Sequence, residues 1–295
     1  MSAIEPRVIW LFGSPRSGST WLRRMASEHP SIAIMEEPTI GYHLSPFLCN
    51  EPGYRAEDLD LDTFTLRRVM RDQPQRFFAE KYADVWVPGL RRLLNDRLEA
   101  HMERELGGGA AGEALLLVKE PNGSQSADVI MRAQPEARLL FLLRDGRDVV
   151  DSELASFSVG GWQERSFAHM RGVTEAERLE FVVNSAYQWL WRTEVVEEAF
   201  AAHTGPKLML RYEDMLREPE RHLAGFFDWL GVPLDGAEVA AIAERHAFER
   251  LPSHGVDQQD RFATPGAWRD NLRPDEQAAV ERILTPKLEQ LGYDG

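Results

Sequence analysis

The stretch Val8-Ile9-Trp10-Leu11-Phe12-Gly13-Ser14-Pro15-Arg16-Ser17-Gly18-Ser19-Thr20-Trp21-Leu22 decides how this chain is read. Five apolar residues without alternation fit a strand buried on both faces. A loop rich in glycine and hydroxyls follows, and Ser17–His29 reads as a helix. Such a strand–loop–helix corner aims backbone N–H groups at an anion, and the helix dipole adds to the attraction. Working outward, Ile32–Met35, Leu115–Val118, Leu139–Leu143 and Leu208–Leu210 are further short runs, apolar throughout. Helical patterns lie between them. They are Ser126–Ala133, then Ala176–Ala202 with Leu179, Val182, Val183, Ala186, Trp189, Leu190, Val196 and Phe200 on one stripe, then Glu220–Leu230 closed by Gly231 and Pro233. A last helix opens at Pro274 with Asp275 and Glu276 in its first turn. Strands alternating with helices predict the α/β class, a three-layer fold with a central parallel sheet of four to five strands flanked by helices. In such folds ligands bind beyond the carboxyl ends of the strands.

Composition removes several function classes. The 295 residues are 43% hydrophobic and 28% charged, with no Pro/Gly/Ser linker and no internal repeat, so one domain over 1–295 is expected. Within it, 41–114 is expected to be a mostly helical insertion on the acceptor side, with Gly107–Gly112 a flexible loop. A net charge of −14 argues against a nucleic-acid partner. No apolar run is long enough to span a membrane, and the N-terminus lacks the pattern of a secretory signal, so a cytoplasmic location is expected. The lone Cys49 excludes an intramolecular disulfide framework and a thiolate zinc cage, and the eight histidines show no metal-binding spacing.

The interval from Gly13 to Gly18 equals that of the P-loop, G-x-x-x-x-G-K-[ST], so the fold is expected to be P-loop-like. Ser19 stands where the P-loop lysine would be, and a cation appears inside the loop instead, at Arg16. That disfavours a conventional kinase or NTPase. The loop resembles the 5′-phosphosulfate-binding loop of sulfotransferases that use 3′-phosphoadenosine 5′-phosphosulfate (PAPS), in particular the bacterial and tyrosylprotein branches. A second motif, Arg144-Asp145-Gly146-Arg147-Asp148-Val149-Val150-Asp151-Ser152, resembles that family's 3′-phosphate motif, with glycine at 146 where the family has proline. The resemblance implies that Arg144 and Ser152 bind the 3′-phosphate, and arginine offers a bidentate fork for it. It also implies that Pro15, Arg16, Ser17, Gly18, Ser19, Thr20 and Trp21 hold the 5′ end. Tyr212, in Leu210-Arg211-Tyr212-Glu213-Asp214, would lie near the adenine. Arg261 would reach the 3′-phosphate, although Phe262 and Ala263 depart from the family's lysine and glycine.

Sulfuryl transfer is an in-line displacement that needs positioning and cations on the sulfuryl and leaving-phosphate oxygens. Arg16, Ser17 and Lys119 are the natural stabilisers, and no metal is required. Lys119 follows a strand in Val118-Lys119-Glu120-Pro121-Asn122 and has the alternative of pairing a structural carboxylate. A hydroxyl acceptor also needs a general base. Glu37, 21 residues after Arg16 in Glu36-Glu37-Pro38, matches the position of the tyrosylprotein branch's base. Adjacent glutamates on an extended segment point opposite ways, so only one should face the cleft, with burial raising its pKa. Glu36, Glu120 and His43 are the reserves. The expected reaction moves the sulfuryl group of PAPS to a hydroxyl of a small molecule or peptide. The alternatives are an atypical P-loop kinase or a non-catalytic nucleotide-binding module. The acceptor and the oligomeric state stay open. Tyr42, Phe47, Tyr54, Phe64, Phe77, Phe78, Tyr82 and Trp86 read mainly as core, and Trp162 and Phe167 as part of an acceptor lid.

Overall fold

The computed structural model describes residues 4–44, 75, 77–110, 114–161, 163, 165, 171–247 and 264–294. The expectations for Phe47, Cys49, Tyr54, Phe64, Trp162, Phe167, Arg261, Phe262 and Ala263 lie outside the described residues. Five strands, β1 Val8–Phe12, β2 Ile32–Glu36, β3 Leu115–Lys119, β4 Arg138–Leu143 and β5 Lys207–Arg211, form one parallel sheet in the order β2-β3-β1-β4-β5. β1 is flanked on both sides, with Leu11 opposite Lys119 on β3 and opposite Leu140 on β4. After β1 the chain crosses to the outer strand β2, returns to β3, then passes β1 to β4. The strand order therefore reverses around β1, the kind of switch point beyond which α/β folds bind ligands.

The chain divides into two compact units, each assembled from three segments. One comprises Met1–Gly13, Leu22–Phe141 and Trp191–Met209. All five β1 residues are fully buried there, as their continuous apolar run dictates. The buried Trp10 indole needs an acceptor and finds Gln134 Oε1 at 2.6 Å. Gln134 in turn donates to Asn95 at 2.6 Å, and fully buried Glu5 takes Arg91 Nε at 2.7 Å. Buried polar groups are thus tied into one network, which avoids the desolvation penalty of orphaned atoms. The other unit comprises Ser14–Trp21, Leu142–Leu190 and Leu210–Gly295, with Trp189, Trp268, Phe226 and Phe227 in its core.

Several expectations are corrected. The first helix spans Ser19–Ala26, not Ser17–His29, because Arg16 and Gly18 have φ of 68° and 91°, which a right-handed helix cannot accommodate. Leu208–Leu210 is not buried on both faces: β5 is an edge strand with Met209 exposed. The helix Ala83–Ala110 runs through Gly107–Gly109 instead of ending in a loop, since each residue added to an established helix closes one more backbone bond. On the stripe of the long helix Arg178–Ala202, Val182, Ala186, Trp189 and Val196 are buried but Leu179 is exposed. Among the aromatics read as core, Trp86 is buried, whereas Phe77, Tyr82 and Tyr42 are exposed. No helix among the described residues is long and apolar enough to cross a membrane.

Gly146 opens the helix Gly146–Phe157, whose N-cap Asp145 accepts the Arg147 N–H at 2.9 Å. A Cβ at 146 would lie 2.6 Å from Trp189 Cδ2 and 2.8 Å from Leu284 Cδ1, so glycine at 146 is required by close packing. Helix propensity alone would favour alanine by about 1 kcal/mol. Overpacking reverses the sign, and Gly146→Ala is expected to destabilise the protein by roughly 1–3 kcal/mol in urea unfolding. An unchanged or higher stability would contradict this packing.

Candidate active site

Two clusters of chemistry-bearing side chains follow the carboxyl ends of these strands, and each lies within one of the units. In the unit that holds the loop, Ser17 N–H and Oγ both donate to the Ser14 carbonyl, at 3.2 and 2.6 Å. This tight turn places Arg16 in the left-handed region. Non-glycine residues persist there only when their surroundings over-determine them, commonly at functional sites. Arg16 is held twice. Its Nε donates to Ser152 Oγ at 2.9 Å, and its carbonyl accepts from Arg144 Nη1 at 2.8 Å. The Arg144 guanidinium lies over the Tyr212 ring, 4.6 Å from the centroid. Gly18 makes room for that ring, because a Cβ there would sit 2.4 Å from Tyr212 Cδ2. Trp21 meets Tyr212 edge-on at 6.1 Å and donates its indole N–H to the His246 carbonyl at 2.9 Å. The structure therefore brings together Arg16, Gly18, Trp21, Arg144, Ser152 and Tyr212 from three separate stretches. Pro15, Ser19 and Thr20 lie in the same loop and first helical turn.

Several residues of this cluster were not singled out from sequence. Ser14 Oγ is buried with no hydrogen-bond partner among the described residues. Asp148 accepts the Gly266 N–H at 2.8 Å and holds the turn that follows 261–263. Glu213 accepts the Asp145 N–H at 2.8 Å and the Tyr293 hydroxyl at 3.0 Å. Burial raises the pKa of Asp148 and Glu213 above the ordinary carboxylate values, against these hydrogen bonds. Both residues sit in motifs already quoted, but their partners are 68 or more residues away, which spacing does not show.

The second cluster stands at the ends of β2 and β3. Lys119 is 3% exposed, and its Nζ donates to Glu37 Oε1 at 2.6 Å and to Glu36 Oε1 at 3.3 Å. Asn122 Nδ2 takes the other Glu37 oxygen at 3.0 Å. The expectation that Glu36 and Glu37 point opposite ways is overturned. Glu37 has φ of 44°, so the segment is not extended and both carboxylates reach one ammonium. The expected burial also falls elsewhere. The Glu37 side chain is 37% exposed, while Glu120 is fully buried. His43 is exposed on the short helix Ile40–Leu44 and meets the Tyr42 ring. Ser124, missed in the sequence, donates to the Gly13 carbonyl at 2.7 Å and accepts the Gly13 N–H at 2.9 Å.

A sequence model described as the sulfotransferase family matches residues 7–236. The nodulation protein NoeE of Sinorhizobium fredii is 24% identical over 98% of this chain, which spans 66% of that protein's length. The mouse sulfotransferase SULT7A1, solved with PAP, superposes with a TM-score of 0.57 at 14% identity over 96% of this chain and 85% of its own. The sulfotransferase STF9 from Mycobacterium avium superposes with a TM-score of 0.51 at 15% identity over 98% and 77%. At these identities the two superpositions speak for the fold alone.

Glu120 supplies a pH test. Burial pushes its carboxyl from the usual 4.5 up to about 7, opposed by the Gly41 and Thr39 amides and aided by the Glu37 charge. The folded state thus holds this proton more tightly than the unfolded chain. Its contribution to stability is complete below the unfolded value and is lost as pH rises through about 7, on the order of 3 kcal/mol. In unfolding measured from about pH 4.5 to 8, Glu120→Gln should lose that part of the pH dependence. A difference between wild type and variant that stays constant across the window would sink this assignment.

Proposed function

Since the chain belongs to the sulfotransferase family, we propose that it transfers the sulfuryl group of PAPS to a hydroxyl of a small-molecule or peptide acceptor. The observation that carries this reading is the convergence of Arg16, Arg144 and Ser152 on one another around Tyr212. Two guanidinium groups, a hydroxyl and an aromatic ring fit a nucleotide that carries an extra phosphate on its ribose. The buried, unpartnered Ser14 hydroxyl in the adjoining turn fits an anionic ligand as well. Ser19 in place of the P-loop lysine leaves the triphosphate reading without its main cation.

The donor supplies an activated sulfuryl group on a phosphate leaving group, so the chain needs to provide position, positive charge and a base. Arg144 and Ser152 are assigned to the 3′-phosphate, with Arg261 from outside the described residues as a third contact. Tyr212 is assigned to the adenine side, and Trp21, edge-on to its ring, to the 5′ end. Pro15 to Thr20, with the N–H groups of the turn and the start of helix Ser19–Ala26, surround the 5′ end. Arg16 and Lys119 are each assigned to stabilising oxygens that gain negative charge in the transition state. Glu37 takes the acceptor proton at one carboxylate oxygen as the acceptor oxygen bonds to sulfur and the sulfur–oxygen bond to the 5′-phosphate breaks. Lys119 and Asn122, one on each oxygen, hold that carboxylate in orientation. We propose that the chemistry proceeds without a metal ion.

Two outcomes test the reading. Losing a desolvated phosphate contact weakens binding by roughly 2–5 kcal/mol. Arg144→Ala should therefore weaken 3′-phosphoadenosine 5′-phosphate (PAP) strongly in calorimetric titration and spare adenosine 5′-phosphosulfate, which has no 3′-phosphate. Equal weakening of both ligands would remove Arg144 from the 3′ position. Loss of a general base lowers rates about 10²–10⁴-fold. Glu37→Gln should show such a loss with an alcohol that the wild type sulfates, much less with a nitrophenol, and leave PAP affinity unchanged. Lost PAP affinity would instead make Glu37 a structural partner of Lys119, and normal alcohol turnover would exclude it as the base.

A further inference from the structure

Glu120 has no part in the proposed chemistry, although it is a fully buried carboxyl one residue beyond Lys119. We infer that Glu120 is a positioning residue, whose carboxylate latches the left-handed turn Glu37–Thr39 and so aims Glu37 at the acceptor. The inference rests on the reading of Glu37 as the base, and it adds what holds that base in place.

Glu37 and Thr39 both have positive φ, 44° and 56°, a pairing that persists only when the surroundings impose it. Two consecutive residues impose it from opposite ends. At the start of the turn the Lys119 carbonyl accepts the Glu37 N–H at 2.9 Å, and beyond its end Glu120 Oε1 accepts the Gly41 N–H at 3.0 Å. The approach is close enough that a side chain at 41 is excluded, because a Cβ there would lie 1.9 Å from the Gly123 carbonyl oxygen. Glu120 is itself fixed. Its N–H donates to the Leu11 carbonyl of β1 at 2.9 Å, and its own carbonyl accepts from Gly123 N–H at 3.1 Å and from Ser124 Oγ at 3.3 Å. Ser124 also holds both backbone groups of Gly13. Glu120 therefore holds the turn that carries Glu37 through its carboxylate, while its backbone is fixed to the central strand and, through Ser124, to Gly13. A group buried this completely cannot meet an acceptor hydroxyl, which separates it from Glu37.

Hydrogen–deuterium exchange over residues 36–44, PAP affinity and alcohol turnover test the latch together. Glu120→Ala is expected to speed exchange over 36–44, to leave PAP affinity unchanged and to lower kcat about 10²-fold through misplacement of the base. Glu120→Gln, whose amide oxygen still accepts from Gly41, should restore protection and most of the turnover. Should Glu120→Ala fail to fold, Glu120→Asp, one methylene too short to reach Gly41, should give the same loss of protection. Wild-type exchange over 36–44 in Glu120→Ala or Glu120→Asp would overturn the inference. So would a Glu120→Gln variant with full protection but turnover as low as Glu37→Gln, since the carboxylate itself would then be required. If Glu37→Gln sulfates the alcohol normally, the reading of the base fails instead, and the exchange data alone still decide the latch.

Discussion

A charge withdrawn from water has to be paired, and Lys119 is such a charge. Its ammonium ends a strand buried along its whole length, where an unpaired cation would be prohibitively costly. Glu37 answers it at 2.6 Å and Glu36 at 3.3 Å. To do so the chain after β2 turns through the left-handed region at Glu37 and again at Thr39, which demands anchors on both sides. The Lys119 carbonyl and the Glu120 carboxylate are those anchors, so one short segment supplies the cation, the orientation of the proposed base and the restraint on its turn. The same pairing leaves both carboxylates partly exposed.

The cluster around Tyr212 follows the same logic with different groups. A buried guanidinium is stabilised by lying on an aromatic face, which leaves its N–H edge to an anion. Arg144 uses Tyr212 in that way and spends one nitrogen on the Arg16 carbonyl. The carboxylates nearby are engaged with backbone amides: Asp148 with Gly266, Glu213 with Asp145. These contacts shape the frame of the site, while the arginines remain its cationic face. An acidic protein can hold an anion where cationic side chains gather, and Arg16 and Arg144 meet within one such cluster.

Much of this was legible in the sequence. β1 is found at the residues where an unbroken apolar run put it, and the other four strands differ by one or two residues at their ends. Arg16, Arg144, Ser152 and Tyr212 were named from local motifs and meet in the fold. Backbone conformation was not legible. Nothing in Glu36-Glu37-Pro38 announces a positive φ, and the rule of alternating side chains holds only for extended segments. Burial of individual polar residues was equally hidden, since it depends on what packs from afar. Glu120 is sealed by a backbone contact with Gly41, and Asp148 by a loop 118 residues away. Edge position misled the reading of β5, whose composition matches that of a central strand.

The central claim is that this chain moves a sulfuryl group from PAPS to a hydroxyl. The most direct measurement is mass spectrometry of a metabolite and peptide extract incubated with the protein and PAPS, with a chelator present and ATP in a parallel arm. Acceptors in the PAPS arm are expected to gain the mass of one sulfuryl group, matched by an equal amount of PAP. A chain that leaves PAPS intact across the extract, or that instead transfers phosphate from ATP, would contradict it.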